Sequence, residues 1–211
     1  MKETPDYYGQ SRPEIRRFIP TNIKTILDVG TGEAYFLKSV KEELLAETWG
    51  VEVSEEVAQK AQQNADKILI GKLEDIITYL PNNYFDCITF NDVLEHILEP
   101  ADTLNLIKSK LKEEGMIIAS IPNVRYFFNL RDLIVKKDWR YTDAGILDST
   151  HFRFFTQKSM ARLFVESGYT IQNLEGINGI RSWKFSLFNI ITLGYFKDTR
   201  YLQFLCIAKK R

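Results

Sequence analysis

Five short apolar segments that alternate with helical segments place the strongest constraint on how this 211-residue chain can fold. The strand-like segments are KTILDV (24–29), TWGVEV (48–53), KILIG (67–71), FDCITF (85–90) and MIIASI (116–121). Apolar side chains at helical spacing indicate helices at 33–45, 55–65 and 101–112. Such an alternation is typical of an α/β fold, with a parallel, doubly wound sheet and right-handed crossovers.

The pattern changes after Pro122. Residues 123–155 are rich in aromatic and basic side chains, and a helix over 156–167 follows with Thr156 as its predicted N-cap. Residues 169–177 and 201–210 read as two further strands that would close the other edge of the sheet. We predict one domain over 1–211, with insertions at 123–155 and 178–200.

Charge is balanced overall but not along the chain. The 28 basic and 28 acidic residues exclude a uniformly basic coat, and we predict no nucleic-acid partner. Residues 1–120 hold 13 basic and 21 acidic side chains, whereas residues 121–211 hold 15 and 7. The basic second part of the chain favours an anionic partner.

The cysteines and the apolar segments indicate the compartment. Cys87 and Cys206 lie in apolar runs and read as buried thiols, so they supply neither a disulfide framework nor a zinc ligand set. The longest apolar-rich stretch, 185–196, is too short for a bilayer span of about 20 residues. We predict a cytoplasmic protein with no transmembrane segment.

The sharpest motif is LDVGTGEAYF (27–36), between the first strand and the first helix. Gly30 and Gly32 permit a tight turn that a ligand can approach, and Glu52 can accept two hydrogen bonds from a ribose diol. Asp28, just before the turn, would repel a pyrophosphate and attract a cation. S-adenosylmethionine fits this set, because it has a sulfonium, an ammonium, a ribose and no phosphate. An NAD-dependent oxidoreductase is disfavoured by Asp28.

Several motifs in the same order resemble class I S-adenosylmethionine-dependent methyltransferases. They are LDVGTGEAYF, GVEVSEE, GKLEDI, FDCITFNDVLEHILEP, GMIIASIPN and DSTHFRFFTQKSM. The last is similar to bacterial enzymes of surface-polysaccharide and glycolipid pathways. The resemblance implies a Rossmann-like sheet of seven strands, mostly parallel, with one antiparallel strand in an edge region.

The resemblance also implies cofactor-binding residues. Asp28, Gly30 and Gly32 would line the methionine part of the cofactor, and Glu52 would hold the ribose. The backbone at Leu73, with Glu74 nearby, would meet the adenine, although Lys72 stands where many members have an Asp. Asn91 would face the amino-acid moiety. The segment YYGQSRPEIRRFIP resembles the family's entry helix, which implies a helix in residues 1–22 that folds over the cofactor, and Tyr8 and Arg12 could approach the cofactor carboxylate. Ala34 replaces a frequent third glycine, which is harmless if the backbone there is helical.

Two histidines are the candidate catalytic bases for an oxygen acceptor. His151 is the first choice, and His96 reads mainly as a packing residue. Asp92, Glu95 and His96 form a D-x-x-E-H pattern, similar to that of some metal-dependent O-methyltransferases. We assign these three residues to structure and predict no metal.

The acceptor is expected on the basic, aromatic side of the protein. We predict a small-molecule or glycolipid acceptor that could be anionic, with a sugar or glycolipid hydroxyl as the leading hypothesis. A quinone-precursor O-methyltransferase and a non-catalytic cofactor-binding module are the alternatives. Segment 178–200 has more aromatic side chains than we expect to find exposed to water. We expect it to pack on the acceptor side, on a second subunit of a homodimer, or on a membrane surface.

Overall fold

The seven predicted strands form a single sheet. A computed structural model describes residues 11–211 and orders the strands β3-β2-β1-β4-β5-β7-β6. The strands are β1 (Thr25–Val29), β2 (Glu47–Glu52), β3 (Lys67–Ile70), β4 (Phe85–Asn91), β5 (Leu111–Pro122), β6 (Tyr169–Gly179) and β7 (Tyr201–Lys210). β7 runs antiparallel to both β5 and β6, and the other neighbouring strands pair in parallel. The predicted mostly parallel α/β sheet with one antiparallel strand is therefore confirmed.

Helices connect the strands. They are α1 (Pro13–Arg16), α2 (Tyr35–Leu44), α3 (Glu55–Ala61), α4 (Leu73–Ile76), α5 (Pro100–Ile107), α6 (Phe127–Arg131), α7 (Gln157–Glu166) and α8 (Trp183–Ile191). Short 3₁₀ turns at Ile77–Tyr79, Leu94–His96, Lys108–Lys110 and Lys197–Arg200 and a π-helical turn at Asp132–Lys136 extend or join them. Thr156 caps α7 as predicted, in a capping box with Ser159. No helix within residues 11–211 is long and apolar enough to cross a membrane.

Apolar side chains fill both faces of the sheet. One cluster includes Leu27, Phe90 and Phe164, and the other includes Ile26, Leu37 and Leu205. Leu27 and Ile26 are neighbours in β1 but belong to different clusters, because successive side chains of a strand point to opposite faces. All of β1 is buried, as expected for a central parallel strand with both faces covered.

Several predicted boundaries differ from the structure; β5, for example, begins at Leu111, five residues before the predicted start at 116. In the described part of the predicted helix 1–22, the only helical residues are Pro13–Arg16, because Pro20 ends any continuation of the helix and Pro13 is suited to its first turn. Residues 178–200, expected as an insertion, contain the helix α8. The side chain of its N-cap residue makes no capping hydrogen bond, so no capping motif predicts where this helix begins. The first ten residues, with Tyr8 among them, lie outside the described part of the chain.

The strand order fixes where a ligand can bind. The chain leaves β1 toward β2 on one side, and β4 returns to the other side of β1. At such a switch point, the loops at the carboxyl ends of the strands diverge and open a crevice. The loop 30–34 follows β1, residues 92–99 follow β4, and residues 123–156 follow β5. The candidate site is therefore expected at this carboxyl edge.

Candidate functional site

The glycine turn after β1 is held against β2. The N–H groups of Gly30 and Thr31 donate to the carbonyl oxygen of Val51 at 2.8 and 3.0 Å. Gly30 and Gly32 have φ values of +71° and +57°, a conformation that side-chain-bearing residues rarely adopt. A Cβ at Gly30 would also lie 2.5 Å from Cγ2 of Val93, so the close approach of the two loops requires glycine there.

Ala34 corrects one expectation. Its φ of 61° and ψ of 25° place it in the left-handed region, so the backbone is not right-handed helical where a third glycine is frequent. For a residue with a Cβ, this conformation costs about 1–2 kcal/mol. The methyl group is fully buried in the apolar cluster under α2, and its burial offsets part of that cost.

Glu52 bridges the two loops that border the crevice. Its Oε2 accepts a hydrogen bond from the Gly32 N–H at 2.9 Å, and its Oε1 accepts one from the Ser54 N–H at 3.0 Å. The side chain is buried. A carboxylate has about four acceptor positions, so two of them are available for a pair of hydroxyl groups.

Asp28 is a buried acid at the end of β1, with 2% of its surface exposed. Its Oδ1 accepts hydrogen bonds from Thr89 Oγ1 at 2.6 Å and from Asn91 Nδ2 at 3.0 Å. Burial raises the pKa of Asp28 to about 6, although hydrogen bonds and the charge of Arg12 act in the opposite direction. An added cation would favour the ionised form of this carboxyl group.

This donor set fits S-adenosylmethionine. Asp28 and Glu52 supply two acids, and neither forms an ion pair within residues 11–211. The Oδ1 atom of Asn91 is buried and has no hydrogen-bond partner among the described residues, so it can accept a hydrogen bond from a donor such as an ammonium group. Acids and an amide acceptor around a glycine turn suit a cationic ligand with hydroxyl groups better than they suit a pyrophosphate.

The residues predicted to meet the adenine lie at the start of α4. Leu73 is buried, while Lys72 and Glu74 are exposed. Gly71, just before them, donates its N–H to the carbonyl oxygen of Glu52, so this segment borders the strand end that carries Glu52. The structure brings Leu73 and Glu74 to the same side of the crevice, and their contact with adenine stays a prediction.

Arg12 and Asp92 form an ion pair over the end of β4. Arg12 Nη1 lies 2.5 Å from Asp92 Oδ2, and both side chains are largely buried. Asp92 also accepts hydrogen bonds from Gln203 Nε2 at 2.6 and 2.8 Å and from Ser120 Oγ at 3.1 Å. Gln203 lies 111 residues away on β7, and no sequence motif indicates it. The role of Arg12 toward a cofactor carboxylate stays a prediction.

The two histidines lie together, although 55 positions separate them in the sequence. Their ring centroids are 4.6 Å apart. Nδ1 of His151 faces the Ile146 carbonyl oxygen at 3.0 Å, so this nitrogen carries the proton and Nε2 is the acceptor. The hydroxyl of Thr150 donates to Asp148 at 2.7 Å and lies 3.0 Å from His96 Nδ1, so that nitrogen is also the protonated one.

Glu95 completes this group, which we call the histidine cluster (Glu95, His96 and His151). Its Oε1 lies 3.9 Å from Nε2 of His151, and its side chain is 1% exposed. Neither carboxyl oxygen has a hydrogen-bond partner among the described residues. Burial and the nearby charge of Asp92 raise the pKa of Glu95 well above its usual range. Burial and His151 lower the pKa of His96, so this imidazole is neutral at neutral pH.

The same cluster is the group that could hold a metal ion within the described residues. One ligand atom from each of its three residues lies within 4.8 Å of the others. Asp92, the first residue of the D-x-x-E-H pattern, is instead engaged by Arg12, Gln203 and Ser120. The three residues of the D-x-x-E-H pattern therefore do not form one metal-binding group, because His151, and not Asp92, lies beside Glu95 and His96.

Comparison with known proteins identifies the family. Residues 7–174 match the family described as a methyltransferase domain. The chain belongs to this methyltransferase family. The predicted enzyme class and cofactor are confirmed: it is a methyltransferase that uses S-adenosylmethionine.

Curated relatives are distant. The mitochondrial ubiquinone biosynthesis O-methyltransferase of Schizosaccharomyces pombe is 26% identical over 162 residues, which cover 73% of this chain and 58% of that protein. An uncharacterized protein of Methanocaldococcus jannaschii is 32% identical over 143 residues, which cover 67% and 65% of the two chains. The methyltransferase chain thus spans less than two thirds of the length of these relatives.

Solved structures share the fold. A SAM-dependent methyltransferase from Archaeoglobus fulgidus matches with a TM-score of 0.67 and 20% identity, over 93% of this chain and 91% of that one. A methyltransferase of the same kind from Mesorhizobium loti matches with a TM-score of 0.65 and 16% identity, over 96% and 99% of the two chains. At these identities the likeness extends to the fold alone.

Proposed function

We propose that this methyltransferase transfers the methyl group of S-adenosylmethionine to a hydroxyl group of a sugar or glycolipid intermediate. The observation that carries the proposal is the histidine cluster. Its Glu95 and His96 follow the carboxyl end of β4 and its His151 lies in the segment after β5, so the cluster is at the same edge of the sheet as Asp28 and Glu52. A hydroxyl acceptor with a high pKa needs a base, and the cluster places two imidazole rings there.

Each part of the site has a separate task. When bound, the cofactor would supply a methyl group whose carbon an oxygen nucleophile can attack, while the carbon–sulfur bond breaks and a neutral thioether leaves. Asp28 and Asn91 would hold the ammonium group of the amino-acid end, and Glu52 would hold the ribose hydroxyls. Leu73 and Glu74 border the adenine. These residues orient the methyl group and exclude water, so alignment provides a large share of the rate.

The histidine cluster receives the acceptor proton. We assign His151 as the base, with Nε2 as the accepting atom, because its Nδ1–H is fixed on the Ile146 carbonyl. His96 is the second candidate, since its Nε2 is likewise the unprotonated nitrogen when Nδ1 donates to Thr150. The buried Glu95 faces His151, and its burial and the nearby charge of Asp92 raise its pKa and so oppose a negative charge beside the base.

The segments 123–155 and 178–200 support an acceptor with apolar and anionic parts. Both segments follow strands whose carboxyl ends lie at the cofactor edge of the sheet. They carry exposed basic side chains, including Lys137, Arg140 and Arg181. A phosphate-bearing glycolipid intermediate would fit these cations.

A phenolic hydroxyl of a quinone precursor is the second candidate acceptor. It is favoured by the ubiquinone biosynthesis O-methyltransferases among the curated relatives. A phenol ionises more readily than a sugar hydroxyl, so its methylation would depend less on a protein base. The two acceptors are therefore distinguished by how strongly the rate depends on His151.

The test combines labelled cofactor with acceptor pools. Incubation with methyl-labelled S-adenosylmethionine and separate glycolipid and quinone-precursor fractions should label the glycolipid fraction. Cofactor binding without label transfer to any fraction would instead favour the non-catalytic binding module. Label in the quinone-precursor fraction alone would replace our acceptor by the second candidate.

Single-turnover transfer by His151→Gln and His96→Gln then assigns the base. His151→Gln should lower the rate by about 10²–10⁴ and leave cofactor affinity unchanged in calorimetry. His96→Gln should cost less. A fully active His151→Gln variant with an inactive His96→Gln variant would reverse the two roles. If both variants transfer at the wild-type rate, the acceptor reacts in its ionised form and needs no base.

A further inference from the structure

Exposed apolar side chains concentrate in two segments of the carboxyl edge. We call them together the apolar rim; it consists of Phe128, Leu133, Ile134, Val135, Trp183, Leu187, Ile190, Ile191, Leu193 and Tyr195. The first segment, 127–136, is α6 with its π-helical turn, and the second, 183–195, is α8 with the residues that follow it. Large apolar patches of this kind mark interaction sites on proteins.

The two segments form one surface. Phe127 of α6 packs edge-on against Phe185 and Phe188 of α8, with both pairs of ring centroids 5.5 Å apart. Below them, Arg125 pairs with Asp198 at 2.5 Å. The inner aromatic residues thus join the segments, and the apolar rim is what remains on the outside.

Helix α8 has an apolar outer stripe as well as an apolar inner face. Trp183, Leu187, Ile190 and Ile191 are spaced at i, i+4, i+7 and i+8, which places them on one side of a helix. Their exposed fractions are 72%, 48%, 70% and 71%. An outer stripe of this kind has no stabilising role within the chain, because its side chains pack on little else.

The same two segments and their flanking residues are rich in basic side chains. Residues 123–143 and 181–200 contain nine basic and four acidic side chains. Lys137, Arg140, Arg181, Lys184 and Lys197 are exposed, and none of them forms an ion pair with a residue of 11–211. Two like-charged copies of this surface would repel each other, which disfavours a second copy of the chain as its partner.

We propose that the apolar rim and its surrounding cations dock on an anionic lipid bilayer. Aromatic and aliphatic side chains enter the boundary between headgroups and acyl chains, while Lys and Arg attract anionic headgroups, each by about 1 kcal/mol. The docked segments follow β5 and β6, whose carboxyl ends lie at the same edge of the sheet as the residues proposed to hold the cofactor. An acceptor embedded in the membrane would then reach the methyl group without leaving its bilayer.

Vesicle co-sedimentation of the full chain tests the proposal without any methyl acceptor, so its outcome is independent of the proposed function. We expect binding to vesicles of phosphatidylcholine with phosphatidylglycerol and much weaker binding to pure phosphatidylcholine. Raising the salt concentration should weaken the binding, since exposed charges are screened within about 8–10 Å. Equal binding to both vesicle types would overturn the electrostatic part of the proposal.

Paired variants locate the docking surface. Ile190→Ser with Ile191→Ser should lower the vesicle partition coefficient by about tenfold or more, because two buried aliphatic side chains are lost from the lipid. The matched control is Leu45→Asn with Tyr79→Ser, which removes two exposed apolar side chains from connections at the opposite edge of the sheet. This control should bind as wild type does. Circular dichroism checks that each variant is folded.

Fluorescence gives a second measurement. Of the three tryptophans, Trp183 is exposed, Trp139 is half-buried against Phe154 and Trp49 is buried in the core, so brominated lipids in anionic vesicles should quench wild-type emission mainly at Trp183. Trp183→Phe should remove most of the quenching. Unchanged quenching in Trp183→Phe would refute the lipid-docking surface. So would a wild-type protein that does not bind vesicles but forms a dimer, if Ile190→Ser with Ile191→Ser dissociates that dimer.

Discussion

Replacing Asp28 with Asn should make this methyltransferase more stable and less able to bind its cofactor. Two hydrogen bonds to Asp28 end on Oδ1, from Thr89 and from Asn91, and the side chain of Thr31 also acts to lower the pKa of this carboxyl group. An amide oxygen can accept the same two bonds in the same place. The substitution therefore removes the buried charge with little change in packing.

The magnitude follows from the pKa. Burial raises the pKa of Asp28 to about 6 from an ordinary value of 3.8, and each unit corresponds to about 1.4 kcal/mol. Because the folded pKa is the higher one, the folded state binds more protons than the unfolded state between these values. The contribution of Asp28 to stability therefore falls as pH rises from about 4 to 6. At pH 7 the ionised group costs about 3 kcal/mol, and Asp28→Asn should recover most of it.

Denaturant unfolding at pH 4 and pH 7 measures this difference. Asp28→Asn should exceed wild type in unfolding free energy at pH 7, and the gain should shrink toward pH 4. Asp86→Asn, on neighbouring β4, is the control of opposite sign. Burial alone would raise the pKa of Asp86, but hydrogen bonds from Lys112 and from the backbone N–H groups of Lys24 and Thr25 lower it. Asp86→Asn should therefore destabilise at pH 7. A gain for Asp28→Asn that is the same at both pH values would refute the reasoning.

Four further outcomes are expected. Cofactor affinity of the wild type should fall as pH drops below about 6, since protonated Asp28 no longer attracts a cation; calorimetry across pH 5–8 measures this. Glu52→Ala should weaken cofactor binding by roughly 1–3 kcal/mol in the same assay, and wild-type affinity would remove Glu52 from the site. Gly30→Ala should destabilise by at least about 1–2 kcal/mol in thermal unfolding, because φ is +71°, and Val93→Ala should recover only the part due to the 2.5 Å contact. Activity should survive excess chelator; loss of activity that Mg²⁺ or Mn²⁺ restores would instead make the histidine cluster a metal site.

Local patterns in the sequence predict most of this fold. The strands β1 to β5 are short apolar runs separated by helices, and the connection rules for parallel sheets then leave few arrangements. The capping of α3 by Ser54 and of α7 by Thr156 also follows from residue type, because short polar side chains satisfy unpaired N–H groups. Such features depend on residues that are close in the sequence, so they can be predicted from a single sequence.

Long-range contacts in the site could not be predicted in this way. The sequence pattern groups Asp92 with Glu95 and His96, but Asp92 turns toward Arg12 and Gln203. Asp92 has a φ of 56°, and this left-handed conformation separates it from the turn Leu94–His96. Backbone direction at one residue thus decides which side chains meet, and residue spacing does not encode it.

The uneven distribution of charge along the sequence affects what can bind at the carboxyl edge of the sheet. The acidic first part of the chain supplies Asp28 and Glu52 around the glycine turn, and the basic second part supplies the cations around the apolar rim. Under the proposals made above, a cationic cofactor would be drawn to one side of the crevice and an anionic acceptor or lipid surface to the other. Opposite fields would then keep the two reactants from competing for one site. Because buried charges are screened less than exposed ones, added salt should weaken attraction to the basic rim more than attraction to Asp28. Cofactor affinity measured beside vesicle binding over one salt series would show whether the two fields are separate in this way.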